Sequence, residues 1–351
     1  MQPLADPVDL ILLREAALLR SDGPVVVVDD QDGALARGLV SELGVAEVRV
    51  SCDALSEERA VRQSTADMAQ VRVLPPGPEL WQDVRRVLLR LPKGLAALDE
   101  TAEGVARWAD PTVELLAGGR VKHMSRSMND VLGRHFGSVR ASLGAQKSRV
   151  LIATGTAPAA TSPYPVCAAD ADLGLTVCAH GAAFAGPAVD LGTRYLLSFG
   201  DTFARTARQV VDLGCGTGLL AVAAARTLPE ARVLAVDESR AAALSAAATA
   251  EANGVADRVE VRRTNLMEGV PDRSVDLVLC NPPFHRGNAR DSAVAFEMFA
   301  DAARALAPGG ELWAVYNSHL PYLRALRRLV GTTDVMGQNT AFTVTRSIRT
   351  V

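Results

Sequence analysis

Cysteine is scarce and unpatterned in this chain: Cys52, Cys167, Cys178, Cys215 and Cys280 are odd in number and form no CxxC pair. That argues against a disulfide framework or a zinc site and for a reducing compartment. No stretch approaches the ~18 consecutive apolar residues that cross a bilayer, so no membrane span is expected. The first twenty residues carry acids early and only a short apolar run, which excludes a secretory signal peptide and makes cytoplasm the expected location. Charge of one sign is also missing, with a net charge of −3. A nucleic-acid partner would therefore have to be met by a local patch. Aromatic residues make up 4% of the chain, while Ala, Val, Leu and Arg dominate. That bias fits a GC-rich genome better than it fits any chemistry.

At 351 residues the chain suits two domains, because single cores stop growing near ~250–300 residues. Helical spacing over 9–19 is broken by Gly23-Pro24. The four valines 25–28 read as a buried parallel strand, and 48–50, 70–74 and 87–91 as further strands, with a helix over 95–106. Alternation of strand and helix implies a parallel α/β sheet in a first domain, residues 1–145. The poorly periodic stretch 137–165 is expected to hold the inter-domain connection. A second domain, residues 146–351, alternates more clearly. Strands are expected at 175–179, 209–213, 232–236, 259–263, 275–280, 311–316 and 342–348, and helices at 189–197, 218–228, 239–253, 292–306 and 321–330. Ser239 is a candidate N-cap and Gly254 a helix stop. Trp81, Trp108 and Trp313 each sit in an apolar periodic stretch and are expected in cores. The fold class is α/β, two Rossmann-like units in tandem.

The segment Val-Val-Asp-Leu-Gly-Cys-Gly-Thr-Gly, residues 210–218, lies between a buried strand and a helix. Gly214, Gly216 and Gly218 let the backbone turn tightly and approach a ligand. Asp212 precedes the turn, where its carboxylate can meet a cationic amine. Asp237 closes the next strand and is placed to accept hydrogen bonds from ribose hydroxyls. A dinucleotide fingerprint would want Gly or Ala at 219, where this chain has Leu219. The spacing therefore favours S-adenosylmethionine over a nicotinamide cofactor. Cys215 lies within the loop, and Asn265, after the following strand, could offer its carbonyl to an adenine amine.

Asn281-Pro282-Pro283-Phe284 directly follows the strand 275–280. Two prolines fix the backbone and leave carbonyls free of neighbouring N–H partners. Those carbonyls and the Asn281 side-chain oxygen can accept from an exocyclic NH2, turning its lone pair toward a methyl donor, while Phe284 stacks on the base. Catalysis would then rest on positioning and on hydrogen bonds that track charge growing on nitrogen, with no dedicated general base. Asn281 is counted with both the cofactor and the acceptor.

DLGCGTG, the later acid in AVDES, and NPPF followed by His285 together resemble the class I methyltransferases that act on guanine N2 of ribosomal RNA. FAGPAVDLGTRYLL, residues 184–197, is similar to that family's segment lying against the cofactor, with Phe184, Asp190 and Gly192 in register, although Gly186-Pro187-Ala188 replaces its usual charged residues. VVVVDDQDGALA and VLLRLPKGLAALD resemble the family's decayed N-terminal methyltransferase domain, where Gly33 is all that remains of the glycine loop. The resemblance implies an N-terminal domain that aids folding and RNA binding, a ribosomal RNA or subunit as partner, and no metal. The large subunit is slightly favoured over the small, on KHMSRS at 122–127 and the helix at 320–330. A monomer is expected.

Residues 120–149 hold seven basic residues against one acid, Asp130. Arg120, Lys122, Arg126 and Arg134 are the leading phosphate contacts, and His285 and Arg286 could grip the target nucleotide. Arg324, Arg327 and Arg328 form a second basic group. Rival readings are an adenine N6 or protein-glutamine methyltransferase, a non-catalytic RNA-binding assembly factor, and a nicotinamide oxidoreductase.

Overall fold

The structure, a computed structural model, describes residues 6–18, 23–283 and 289–350, the side chains of 289–292 excepted. Phe284, His285 and Arg286 lie outside the described residues. The chain divides into two compact units, Met1–Tyr164 and Pro165–Val351.

The first unit runs α1 (Pro7–Ala17), β1 (Val25–Val28), α2 (Ala34–Ser41), β2 (Val48–Ser51), α3 (Leu55–Ser64), β3 (Val71–Val73), α4 (Pro78–Trp81), β4 (Arg86–Arg90), α5 (Leu95–Trp108), β5 (Glu114–Arg120), α6 (Arg126–Leu132), β6 (Phe136–Ala141) and β7 (Ser148–Thr156). Its sheet has the order β3-β2-β1-β4-β5-β7-β6. The valines of β1 explain themselves once the layers are seen. Val25 and Val27 point into one buried cluster and Val26 and Val28 into another, so an uninterrupted apolar run is what a strand covered on both faces requires.

The stretch 137–165, expected to hold the inter-domain connection, does contain the boundary between the units, at Tyr164, and before it also contributes β6 and β7, both antiparallel. Only Phe136 of β6 is fully buried, and the remaining residues of this edge strand face outward or are half-buried. Without an alternating apolar set, the sequence carries no strand signal there. Trp81 is buried and Trp313 fully so, but Trp108 is 48% exposed at the end of α5, contrary to its expected place in a core.

The second unit runs β8 (Val166–Asp170), β9 (Leu175–Ala179), α7 (Leu191–Leu197), β10 (Gln209–Leu213), α8 (Leu219–Thr227), β11 (Arg232–Asp237), α9 (Arg240–Ala252), β12 (Val259–Arg263), β13 (Val275–Cys280), α10 (Ala289–Ala305), β14 (Leu306–Asn317), α11 (Tyr322–Leu329), β15 (Gly331–Gln338) and β16 (Phe342–Arg349). Its main sheet has the order β12-β11-β10-β13-β14-β16-β15, the order of the first unit again. The Ser239 hydroxyl accepts from the Ala242 N–H and caps α9.

The hairpin of β8 and β9 stands apart from that sheet and sets Cys167 directly opposite Cys178, joined by a disulfide with Cα atoms 4.0 Å apart. The expectation of no disulfide thus fails for one pair. Counting cysteines and looking for CxxC cannot see two residues that only strand register brings together. Cys52, Cys215 and Cys280 are free and buried.

Candidate functional site

In the second unit β10 pairs with β11 on one side and β13 on the other, all parallel. Leu213 stands opposite Val236 and Cys280. The next residue on each strand therefore forms a row along the carboxyl edge: Asp237, Gly214 and Asn281. The chain winds away from β10 in opposite directions to reach β11 and β13, and the crevice at such a switch point is where open α/β sheets take ligands.

The loop after β10 is held on β11 by two backbone bonds, from the N–H groups of Gly214 and Cys215 to the Val236 carbonyl, each 2.9 Å. Gly214, Gly216 and Gly218 all have positive φ, at 74°, 53° and 75°. Gly218 is doubly constrained, because a Cβ there would lie 2.8 Å from the Ala246 Cα on α9. The Asp237 carboxylate accepts from Gly216 N–H at 3.0 Å and from Ser239 N–H at 2.9 Å, tying the loop to the end of β11.

Asp212 is wholly buried. Its Oδ2 accepts from the Ala221 N–H at 2.9 Å, whereas its Oδ1 has no protein partner. Burial pushes this carboxyl up to about 7; the Ala221 bond opposes the shift and the neighbouring Asp237 adds to it. A buried carboxylate with one unmatched oxygen beside a glycine-lined loop fits a cationic ligand such as S-adenosylmethionine, whose amine would supply the missing donor. Burial also pushes the Cys215 and Cys280 thiols far up, which keeps both out of nucleophilic chemistry. Asn265 is exposed two residues beyond β12.

On the acceptor side Asn281 is half-buried, Pro282 buried and Pro283 exposed. Asn281 Nδ2 donates to Asp190 Oδ2 and to Thr193 Oγ1, each at 2.9 Å, and Asn281 Oδ1 is buried with no partner. Asp190 is the N-cap of α7, and its Oδ2 also accepts from the Thr193 N–H at 3.0 Å. Phe184 is 62% exposed, ahead of a turn in which Ala185 and Gly186 both have positive φ. Asp190 and Asn281 are thus in direct contact, as the sequence alone does not show. Thr193 escaped the sequence reading altogether. Its signal was the three-residue spacing from Asp190, the distance between an N-cap and the third residue of its helix.

A curated protein named ribosomal RNA large subunit methyltransferase G, from Streptomyces coelicolor, is 36% identical to this chain over 93% of it and 88% of the relative. The chain belongs to the ribosomal RNA large subunit methyltransferase G family. A member from Stutzerimonas stutzeri is 35% identical over 93% of the chain and 87% of its own length. The RLMG N-terminal domain family matches residues 5–157, and the methyltransferase small domain family matches residues 174–346. The fold is also that of the T. thermophilus 16S rRNA guanine N2 methyltransferase, solved in complex with AdoMet and guanosine. That structure has a TM-score of 0.78 and 23% identity, with 99% of this chain and 93% of that one covered. The family resemblance read from DLGCGTG and NPPF is therefore the family found.

For this family member the basic residues of the first unit separate into two kinds. Arg134 reaches Asp99 at 3.4 Å, beside His135, whose Nε2 lies 3.0 Å from the same carboxylate. Lys122 and Arg126 are exposed, and Arg120 Nη1 donates to the Gln146 carbonyl at 3.2 Å. Because Arg120 stands opposite Ser148, the turn at Gln146 and Lys147 places exposed Lys147 and Arg149 near it. Arg324, Arg327 and Arg328 are exposed on α11. No group of three or more His, Cys, Asp or Glu side chains able to hold a metal exists among the described residues. No helix among them is long and apolar enough to cross a membrane.

Proposed function

We propose that this chain transfers a methyl group from S-adenosylmethionine to the N2 amine of a guanine in large-subunit ribosomal RNA. The observation that carries this reading is the buried, unpartnered Asn281 Oδ1 one strand away from the glycine loop. An acceptor oxygen in that position is suited to a donor that enters the site, as an exocyclic N–H would. The relatives above 30% identity are named for the large subunit, which supports that substrate over the small subunit.

In this reading Gly214, Cys215, Gly216 and Gly218 cradle the cofactor, Asp212 meets its amine and Asp237 its ribose. Asn265 faces its adenine, and Phe184 lies against it. Bound S-adenosylmethionine supplies an electrophilic methyl on a sulfonium. The oxygen of Asn281 and the backbone carbonyls beside Pro282 and Pro283 accept hydrogen bonds from the two amine N–H groups. That turns the nitrogen lone pair, otherwise delocalised into the ring, toward the methyl carbon. As the amine acquires positive charge its N–H bonds polarise, so both hydrogen bonds tighten in the transition state and lower the barrier. As the new N–C bond replaces the methyl–sulfur bond, leaving a neutral thioether, one amine proton is released to solvent. Phe284, His285 and Arg286 are assigned to the base and its phosphate. The first unit is read as a degenerate copy that binds RNA through Arg120, Lys122 and Arg126, with Arg134 weakened by its contact with Asp99. The chain is read as a metal-free, cytoplasmic monomer.

The test supplies labelled S-adenosylmethionine with deproteinised rRNA, small subunits and large subunits from a strain lacking the protein, followed by digestion to nucleosides. Label in N2-methylguanosine of the large-subunit RNA, lost in Asn281→Ala, is the expected result. Label in adenosine or in protein would move the assignment to another planar amine. Cofactor binding without transfer to any particle would favour an assembly factor.

A further inference from the structure

A carboxamide can present its oxygen or its NH2 to a site with little difference in shape, and only the oxygen serves the chemistry above. We propose that Asp190 and Thr193 are positioning residues that fix which way the Asn281 amide faces and strengthen its oxygen as an acceptor. The inference rests on the proposed amine methylation.

The hydrogen-bond chemistry decides the orientation. An ionised carboxylate only accepts, so the Asn281 atom 2.9 Å from Asp190 Oδ2 must be the nitrogen. Thr193 Oγ1 takes the second Nδ2 proton, also at 2.9 Å, so both amide protons are spent inside the protein. Flipping the amide would set Oδ1 against the Asp190 carboxylate and leave a buried NH2 in place of the unmatched oxygen. Each of those changes costs about as much as leaving a buried hydrogen bond unmade. The holder is itself held, since Asp190 caps α7 and accepts from the Thr193 N–H with the same oxygen that receives Asn281.

The approach of α7 to Asn281 also has a steric requirement. A Cβ on Gly192 would lie 3.0 Å from Asp190 Oδ2, 3.3 Å from Phe342 Cε1 and 3.6 Å from Asn281 Nδ2. The glycine leaves that space open. A negative charge on the nitrogen side of an amide draws electron density toward its oxygen, as linked hydrogen bonds polarise one another. The Asp190 charge therefore makes Oδ1 a better acceptor as positive charge grows on the substrate amine, an effect that belongs to kcat and not to binding.

The test compares Asp190→Ala, Asp190→Asn, Thr193→Val and Thr193→Ser in the full-length protein. Methyl transfer to large subunits gives kcat and KM, calorimetry gives the S-adenosylmethionine Kd, and 15N–1H spectra follow the Asn281 side-chain amide, assigned by its disappearance in Asn281→Ala. The expected result is a 10- to 100-fold lower kcat in Asp190→Ala with Kd and KM within about threefold of wild type. Asp190→Asn, which keeps a helix cap but no charge, falls in between, and Thr193→Ser recovers the rate that Thr193→Val loses. The Asn281 NH2 signals move in Asp190→Ala, a readout that needs no RNA. An unchanged kcat, unmoved NH2 signals, or a loss that follows Kd and so marks Asp190 as a cofactor ligand would each overturn the inference. Failure of the wild-type protein to methylate any guanine would overturn the proposed function instead, and the NH2 signals would still decide the orientation.

Discussion

The two units share one strand order and differ in what stands at the carboxyl edge of each sheet. Both keep a buried aspartate at the carboxyl end of the first parallel strand, two residues past β1 in the first unit and inside β10 in the second. In each it binds N–H groups of the next helix. Asp30 takes those of Leu35 and Ala36, and Asp212 takes that of Ala221. In both a left-handed glycine opens that helix, Gly33 at φ 84° and Gly218 at 75°. Between aspartate and glycine, however, the first unit has only Gln31 and Asp32, where the second has Leu213, Gly214, Cys215, Gly216 and Thr217. Asp29 Oδ1 in the first unit accepts from the Asp53 N–H, so a side chain lies where the second unit has an open loop tied to Asp237.

The parallel extends, in the fourth strand of each order, to the residue that follows the last position paired with the first parallel strand. Arg90 follows the pair Val28–Leu89 as Asn281 follows Leu213–Cys280. In each unit a helix N-cap acid reaches that residue, Asp6 to Arg90 at 3.3 Å and Asp190 to Asn281 at 2.9 Å. One frame thus carries a closed ion pair in the first unit and an amide with a free oxygen in the second. At this one position the two units differ in that the amide oxygen of the second is unmatched, and that is the atom to which the proposed function gives the acceptor role.

The sharpest way to break this comparison is to truncate both equivalent residues. Asn281→Ala should lower kcat about 100- to 1,000-fold with little change in Tm. Arg90→Ala should leave kcat per folded molecule at the wild-type level and cost the first unit about 2–4 kcal/mol in denaturant unfolding, because buried Asp9 loses its partner. Equal effects of the two on kcat would end the distinction.

The glycines come next. Gly218→Ala should cost about 2–4 kcal/mol, from a left-handed Cβ driven into the backbone of α9, together with cofactor binding. Gly33→Ala meets the Ser64 side chain, which can swing away, and should cost about 1–2 kcal/mol with no effect on cofactor affinity.

Titration separates the two aspartates. Burial raises Asp212 to about 7 and Asp30 to about 6. For such raised carboxyls the stabilisation of the fold is complete below pH 3.8 and is lost as pH rises through those values. Pairing with a cationic amine needs the charged form of Asp212. S-adenosylmethionine affinity should therefore rise up to about tenfold per pH unit below 7 and level off above it. The profile should flatten in Asp212→Asn and stay intact in Asp30→Asn, as calorimetry across pH 5–9 would show. The smallest expected effect is on RNA. Lys122→Ala and Arg126→Ala should each raise the KM for large subunits a few-fold and reduce its salt dependence, with kcat unchanged.

Much of this was legible beforehand, for physical reasons. The strands 25–28, 175–179, 209–213, 259–263 and 275–280 are found at their expected residues because short apolar runs bounded by turn residues have few other uses. DLGCGTG and NPPF were legible because backbone approach to a ligand and a rigid carbonyl array demand those residue types. Of the antiparallel ends of the sheets, β16 was legible at 342–348, but β6, β7 and β15 were not. β6 and β15 are half-exposed, and β14 begins at Leu306 and runs through Pro308, Gly309 and Gly310, ahead of the strand expected at 311–316. The link from Asp190 and Thr193 to Asn281 was hidden for another reason, since it joins positions about ninety residues apart through contacts that no local pattern announces.

The claim at the centre of this account is that one frame was kept twice and the cofactor site once. Equilibrium dialysis of the intact chain against labelled S-adenosylmethionine tests it directly. The account predicts one molecule bound per chain, released by Gly218→Ala and unaffected by Gly33→Ala. Two bound per chain, or binding that depends on Gly33, would contradict it.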